Sequence, residues 1–328
     1  MADPAPAGCR ISGGPWPVSC ALLEWQDSRR GRQLPLRVYL PADRDSGPPL
    51  PMVVFSHGVG GSRFSGEVWL RHWASWGIVG IAVQHPGSDD RIFTDRPPMA
   101  VRSILRNTMT PDQLADRAGD LRFVIDQLTT GAIAGADPAR IGIAGHSFGA
   151  VTVQALSGER LAGRGTRLCD PRPLASLALS PSARGNPVDL DVRFRDVHRP
   201  FFSITGSRDG GIGPSDIAPE NRHLPFRHMP GPDKYLLLIE GAGHLDFSGH
   251  ATAAENRVFR ETARSKRDFT PLIKAASTIF WEHHLNTTGE SPVSLAQAIA
   301  PLLDPGDRFE VGAAGTPARR SRAGHHTG

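Results

Sequence analysis

The chain has 328 residues, of which 39% are hydrophobic and 21% charged, a balance that suits a globular protein with a sizeable core. The net charge is +4, but part of the excess sits at Arg319, Arg320 and Arg322 in a Gly-, Ala- and His-rich stretch. No dense basic block interleaved with aromatics occurs elsewhere, which argues against a nucleic-acid partner. No run reaches the ~18 consecutive apolar residues of a membrane span. The three cysteines, Cys9, Cys20 and Cys169, are odd in number and irregular in spacing, which argues against a disulfide framework, although a Cys9–Cys20 bridge can be drawn. The first residues lack the basic start and apolar run of a signal peptide, so the expected location is cytoplasmic.

In chain order, residues 1–20 are rich in Pro, Gly and Ser and read as an irregular arm. Residues 21–25 and 36–40 read as two antiparallel strands joined by a polar turn. Residues 52–56, from Met52 to Ser56, form an apolar run and read as a buried strand, followed by the glycine-rich His57-Gly58-Val59-Gly60-Gly61. Residues 67–76 read as a helix and 78–83 as the next strand. The polar segment that follows, to Pro111, is longer than an ordinary connection and is expected to belong to a site. Residues 112–128 carry Leu114, Ala118, Leu121, Ile125 and Leu128 on one helical face. Further strands are read at 141–144, 174–179, 201–206 and 235–240, with helices at 269–284 and 294–303. Strands and helices alternate, which implies a mainly parallel sheet with helices on both faces. The expected fold is an α/β sheet of eight strands in one domain spanning 21–304, with residues 305–328 as a disordered basic tail.

The fifth strand leads into Gly145-His146-Ser147-Phe148-Gly149, a G-x-S-x-G sequence between a strand and a helix. This is the setting of a nucleophile elbow, a turn sharp enough to strain the serine backbone. A serine hydroxyl needs a base, and histidine titrates close to working pH. His244, in Gly241-Ala242-Gly243-His244 directly after the last strand, falls at the same sheet edge as Ser147. His250 is the fallback, and His283 and His284 sit within a helix. Asp209, in the loop after the strand at 201–206, is the first choice of carboxylate to orient the imidazole. Asp216 is the second choice; Glu240 is too near His244 along the chain. The backbone N–H groups of Val59 and Phe148 are the expected oxyanion donors. Phe64, His85 and Phe247 are expected to line the substrate pocket. No metal-ligand spacing appears, and the glycine-rich loops lack the Lys-Ser/Thr ending of a phosphate cradle.

The chain order Ser147, Asp209, His244, with the His57-Gly58-Val59-Gly60-Gly61 loop upstream, resembles the α/β-hydrolase fold over roughly residues 35–285. Phe55 to Arg63, Gly145 to Ala150 and Gly243 to Gly249 are similar to the platelet-activating-factor acetylhydrolase and dienelactone-hydrolase-like branch. Dienelactone hydrolase itself uses a cysteine where this chain has Ser147. The resemblance implies a serine esterase without a cofactor, acting on a small-molecule ester of short to medium acyl length and lacking a large cap domain. Two other readings are a peptidase or amidase of the same fold and a catalytically silent binding protein.

Overall fold

The computed structural model describes residues 10–42, 47–97, 100–183, 186–211, 218–249, 267–285 and 294–312. Nine strands form one mixed sheet in the order β1-β2-β4-β3-β5-β6-β7-β8-β9. They are β1 (Val18–Asp27), β2 (Arg32–Pro41), β3 (Leu50–Ser56), β4 (Val79–Val83), β5 (Ala136–His146), β6 (Ala175–Leu179), β7 (Phe201–Arg208), β8 (Lys234–Gly243) and β9 (Arg308–Val311). The central pairings, β4 to β3, β3 to β5, β5 to β6, β6 to β7 and β7 to β8, are all parallel. Antiparallel partners close both sides: β1 and β2 at one, β9 at the other.

Eight α-helices are described: α1 (Glu67–Ser75), α2 (Val101–Thr108), α3 (Pro111–Thr129), α4 (Phe148–Leu156), α5 (Leu190–Phe194), α6 (Leu224–His228), α7 (Thr270–Leu285) and α8 (Leu295–Ile299). A strand buried on both faces reads as a continuous apolar run, because alternate side chains enter different layers. Strand β3 does so: Met52 and Val54 join one core with α3 and α4, while Val53 and Phe55 join the other with α1 and α7. Helix α3 starts cleanly because Thr110 caps it, accepting the Gln113 N–H at 3.1 Å, and Pro111 occupies its first turn. Among the described residues no helix is long and apolar enough to cross a membrane.

Two expectations are corrected here. The sheet has nine strands, not eight, because residues 308–311 are not an irregular tail. Arg308 to Val311 alternate polar and apolar residues and pair with β8, and Phe309 stacks on Tyr235 with ring centroids 6.1 Å apart. The arm also ends earlier than residue 20, since β1 begins at Val18. The long segment after β4 holds a 3₁₀ turn at Asp90–Phe93 and helix α2. Cys9, His250, Asp216 and the arginines of the terminus lie outside the described residues.

Candidate active site

Parallel strands in register end together, so their carboxyl-end loops share one rim of the sheet. Ser56 pairs with Gly145, and Arg208 with Gly243. The loops following β3, β5, β7 and β8 therefore bring His57 to Gly61, Ser147, Asp209 and His244 to the same edge.

Ser147 sits between β5 and α4 at φ 55° and ψ −116°. That is a costly conformation for a residue with a side chain, and it persists only where the surroundings enforce it. The enforcement comes from close backbone packing. A Cβ on Gly149 would stand 1.9 Å from the carbonyl oxygen of Ser56, and one on Gly145 would stand 2.4 Å from that of Gly149. Glycine is therefore required on both sides of the serine. Ser147 donates its own N–H to the Leu179 carbonyl at 3.0 Å, tying the turn to β6.

His244 begins a 3₁₀ turn directly after β8. Its Nε2 lies 2.9 Å from Ser147 Oγ, and its Nδ1 lies 2.8 Å from Asp209 Oδ1. With Nδ1–H donating to the carboxylate, Nε2 is left free to accept from the serine hydroxyl. The second carboxylate oxygen of Asp209 accepts from Thr205 Oγ at 2.7 Å. Thus Ser147, His244 and Asp209 are joined by two hydrogen bonds, although 97 residues separate the first two along the chain. Burial alone would raise the Asp209 carboxyl. The positive charge of Arg222 and the interaction with His244 overcome that and hold it well below the usual carboxylate range. Burial lowers the His244 imidazole below its ordinary value, Asp209 pulls it back upward, and Arg222 lowers it.

The loop after β3 lies against the elbow. A Cβ on Gly58 would stand 3.5 Å from Ser147 Cβ and 3.3 Å from His146 Nδ1. Gly60, at φ 76°, donates to the Ser88 carbonyl at 2.8 Å, and Asp90 N–H donates to the Gly61 carbonyl at 2.9 Å. These bonds latch the glycine loop to the segment after β4. Phe148 is the first residue of α4, where N–H groups have no acceptor within the helix. Among the described residues, neither the Val59 N–H nor the Phe148 N–H has a hydrogen-bond acceptor. The Phe148 N–H, in the first turn of α4, directly follows the serine along the chain.

Of the three residues expected to line the pocket, one is exposed and two are buried. Phe64 is 46% exposed, with the guanidinium groups of Arg37 and Arg63 over its ring at 5.1 and 5.8 Å. His85 has no exposed surface: Ser56 Oγ lies 2.9 Å from its Nε2 and Asp120 Oδ2 lies 3.0 Å from its Nδ1. Phe247 is fully buried in the core layer of α1 and α7, and its carbonyl accepts from Trp69 Nε1 at 3.1 Å. With no exposed surface, His85 and Phe247 do not line an open pocket. Glu240 is exposed on β8, and His283 and His284 lie on α7.

Three residues of this neighbourhood were not singled out from sequence. His146 donates Nε2–H to the His244 carbonyl at 3.1 Å. Burial and the nearby His244 push its pKa down to about 3, which keeps it neutral. Arg222 reaches across to His244 and Asp209 from the 3₁₀ turn Pro219–Arg222. Arg117, on α3, is fully buried behind the glycine loop. A signal for Arg117 existed: it lies three residues after Leu114 and four before Leu121, within the apolar stripe of its helix.

No protein-family model matches this chain, and no curated protein matches it significantly.

Proposed function

We propose that the chain is a serine hydrolase of the α/β-hydrolase fold that cleaves carboxylic esters through an acyl-enzyme. The observation that carries this reading is the continuous hydrogen-bond path Asp209–His244–Ser147, with distances of 2.8 and 2.9 Å, ending on a serine in a strained turn. The strained elbow, the free Val59 and Phe148 N–H groups and the buried carboxylate add to it.

In the first step Ser147 Oγ attacks the ester carbonyl carbon while His244 Nε2 takes the hydroxyl proton. The carbonyl oxygen becomes an oxyanion held by the N–H groups of Val59 and Phe148. Asp209 steadies the imidazolium. When the intermediate collapses, the C–O bond to the alcohol breaks and His244 returns its proton to the leaving oxygen. Water then attacks the acyl-enzyme with His244 again as base, releasing the acid and restoring the serine. Every proton is handled by these side chains, so the cycle calls for no cofactor. The substrate class we favour is an ester of short to medium acyl length, acetylhydrolase-like, a reading supported by the shortness of the segment joining β6 to β7, whose described residues hold the five-residue helix α5.

The test is labelling with a fluorophosphonate alongside turnover of p-nitrophenyl esters, compared between the wild type and Ser147→Ala. Labelling and ester turnover confined to the wild type are expected, with kcat lost by a factor on the order of 10⁴ or more in the variant. Turnover retained without the hydroxyl rejects the assignment, and rates rising steadily from acetyl to palmitoyl reject the chain-length class.

A further inference from the structure

Helix α3 carries an arginine where its apolar stripe calls for a core residue. Arg117 has no exposed surface, and no carboxylate lies within ion-pair distance of it among the described residues. A buried guanidinium is costly unless its donors are satisfied. Here they are satisfied by neutral groups drawn from three separate elements. Nε donates to Thr152 Oγ1 at 3.2 Å, on α4. Nη1 donates to Ser88 Oγ at 2.9 Å, in the loop after β4. Nη2 donates to Ser56 Oγ at 3.0 Å and to the His57 carbonyl, at the start of the glycine loop. The guanidinium carbon stands 4.6 Å from the Phe148 ring centroid. Thr152 Oγ1 in turn donates to the Phe148 carbonyl at 2.9 Å.

These contacts converge on the two backbone segments that present the N–H groups of Val59 and Phe148. One runs through His57, two residues before Val59. The other runs through Phe148 itself, by its ring and, via Thr152, by its carbonyl. The third, Ser88, also accepts the Gly60 N–H on its carbonyl and so holds the far side of the same loop.

We infer that Arg117 is a positioning residue for the oxyanion hole, a rigid buried fork that sets the separation and aim of the Val59 and Phe148 N–H groups. The inference rests on the acyl-transfer reading above. Planarity matters, since a single ammonium group cannot hold Thr152, Ser88 and His57 at fixed angles at once. The fork is itself braced. Ser56 Oγ donates to His85 Nε2, His85 Nδ1–H donates to Asp120, and Asp120 is gripped by Arg30 and Arg32 at 2.8 and 2.7 Å. His85 stays neutral in this chain, because burial and the neighbouring arginines press its pKa well below the ordinary value. Burial lowers Arg117 to about 9, which leaves it charged at neutral pH.

A donor that is misplaced stabilises the transition state less without affecting ground-state binding of the ester, so the signature is a split between kcat and KM. The experiment compares the wild type, Arg117→Lys, Arg117→Met and Thr152→Val on a short-chain p-nitrophenyl ester and on a trifluoromethyl ketone that forms a tetrahedral adduct with the serine. Circular dichroism and Tm report the fold. The expected result is a fall in kcat of roughly 10²-fold for both Arg117 variants, with KM within about twofold. Ketone affinity is expected to fall by the same factor as kcat/KM. Thr152→Val cuts one tie without removing the buried charge, and is expected to lose kcat about tenfold in the same pattern even if the arginine variants do not fold. Folded variants that keep kcat and ketone affinity, or that lose activity through KM alone, overturn the inference while the wild-type activity leaves the hydrolase reading standing. A wild type that neither turns over ester nor forms the ketone adduct overturns both.

Discussion

Arg222 Nη2 lies 3.1 Å from His244 Nδ1, on the edge of the imidazole that already donates to Asp209. Nδ1 has one hydrogen, and the carboxylate takes it, so the guanidinium acts on the ring through charge. The other Arg222 contacts hold the acid loop in place: Nε donates to the Asp209 carbonyl at 3.2 Å, and Nη1 donates to the Ser180 and Pro181 carbonyls at 3.2 Å each. The groups facing His244 are then Asp209, Arg222 and neutral His146, its ring centroid 4.9 Å away.

A cation beside an imidazole disfavours its protonated form, so Arg222 lowers the pKa of His244, alongside the larger effect of burial. The base must be neutral to accept the serine proton. Removing the cation raises that pKa, and a higher pH is then needed to free the base. Arg222→Met is therefore expected to move the acid limb of the kcat/KM profile toward higher pH, with Arg222→Lys returning it most of the way. The pH-independent rate is expected to fall about tenfold as the loop loosens. A limb that stays fixed in Arg222→Met removes the electrostatic part of this account.

Asp209→Asn tests the other side of the imidazole. An amide can offer its N–H to Nδ1, which favours the tautomer with its proton on Nε2, the wrong one for a base. The expected loss in kcat is on the order of 10⁴-fold, with the fold intact. Thr205→Val removes only the 2.7 Å bond to Asp209 Oδ2 and is expected to cost much less, about tenfold, because the carboxylate keeps its bonds to His244 and its charge. Steady-state turnover of a short-chain ester measures both, and equal losses in the two variants contradict the assigned roles.

The rim of the sheet was readable in the sequence because its parts are local. Ser147 lies in a pentapeptide of recognisable G-x-S-x-G pattern, with Gly145 packed against the turn itself and Gly149 against Ser56 of β3, and His244 and Asp209 each follow an apolar run. The supports were not readable in the same way. Arg222 comes 13 residues after Asp209 and returns to it only through tertiary packing. His85 stands at a strand end, where a pocket residue and a buried brace look alike until Asp120 and Ser56 are seen around it. Strand β9 is four residues long, shorter than a periodicity can define, and its place is set by pairing with β8. Arg117 alone carried a sequence signal, a charge inside an apolar stripe.

Acid should destabilise the fold through its buried imidazoles. His57, His85, His146 and His244 are all buried with pKa values below 6.5, in each case chiefly through burial. Below that pH the unfolded chain takes up protons that the folded chain refuses, so unfolding binds protons and stability falls as pH falls. For His146 the window extends from 6.5 to about 3. Asp209 works in the other window: its depressed pKa stabilises the fold at every pH above its unfolded value of 3.8, and that contribution is lost only at lower pH. Urea denaturation is expected to give a steady decline in free energy from about pH 6.5 to 4.5. A flat profile across that range contradicts neutral burial of these imidazoles.

Behind the loop after β6 lies another buried ion pair. Arg193 Nε donates to Glu159 Oε1 at 2.6 Å, with side chains 1% and 0% exposed. Gln154 Nε2 donates to the other carboxylate oxygen at 3.0 Å and also to the Ser182 carbonyl at 2.9 Å. Arg193 reaches the Ala183 carbonyl as well. Burial raises the Glu159 carboxyl, opposed by the arginine. Removing either partner leaves a charge stranded in the interior, which typically costs about 3–5 kcal/mol. Replacing both leaves no stranded charge. Glu159→Gln and Arg193→Met are each expected to lose about that much in urea denaturation, and the double variant distinctly less than their sum. Strict additivity in the cycle shows that the two side chains do not act as a pair.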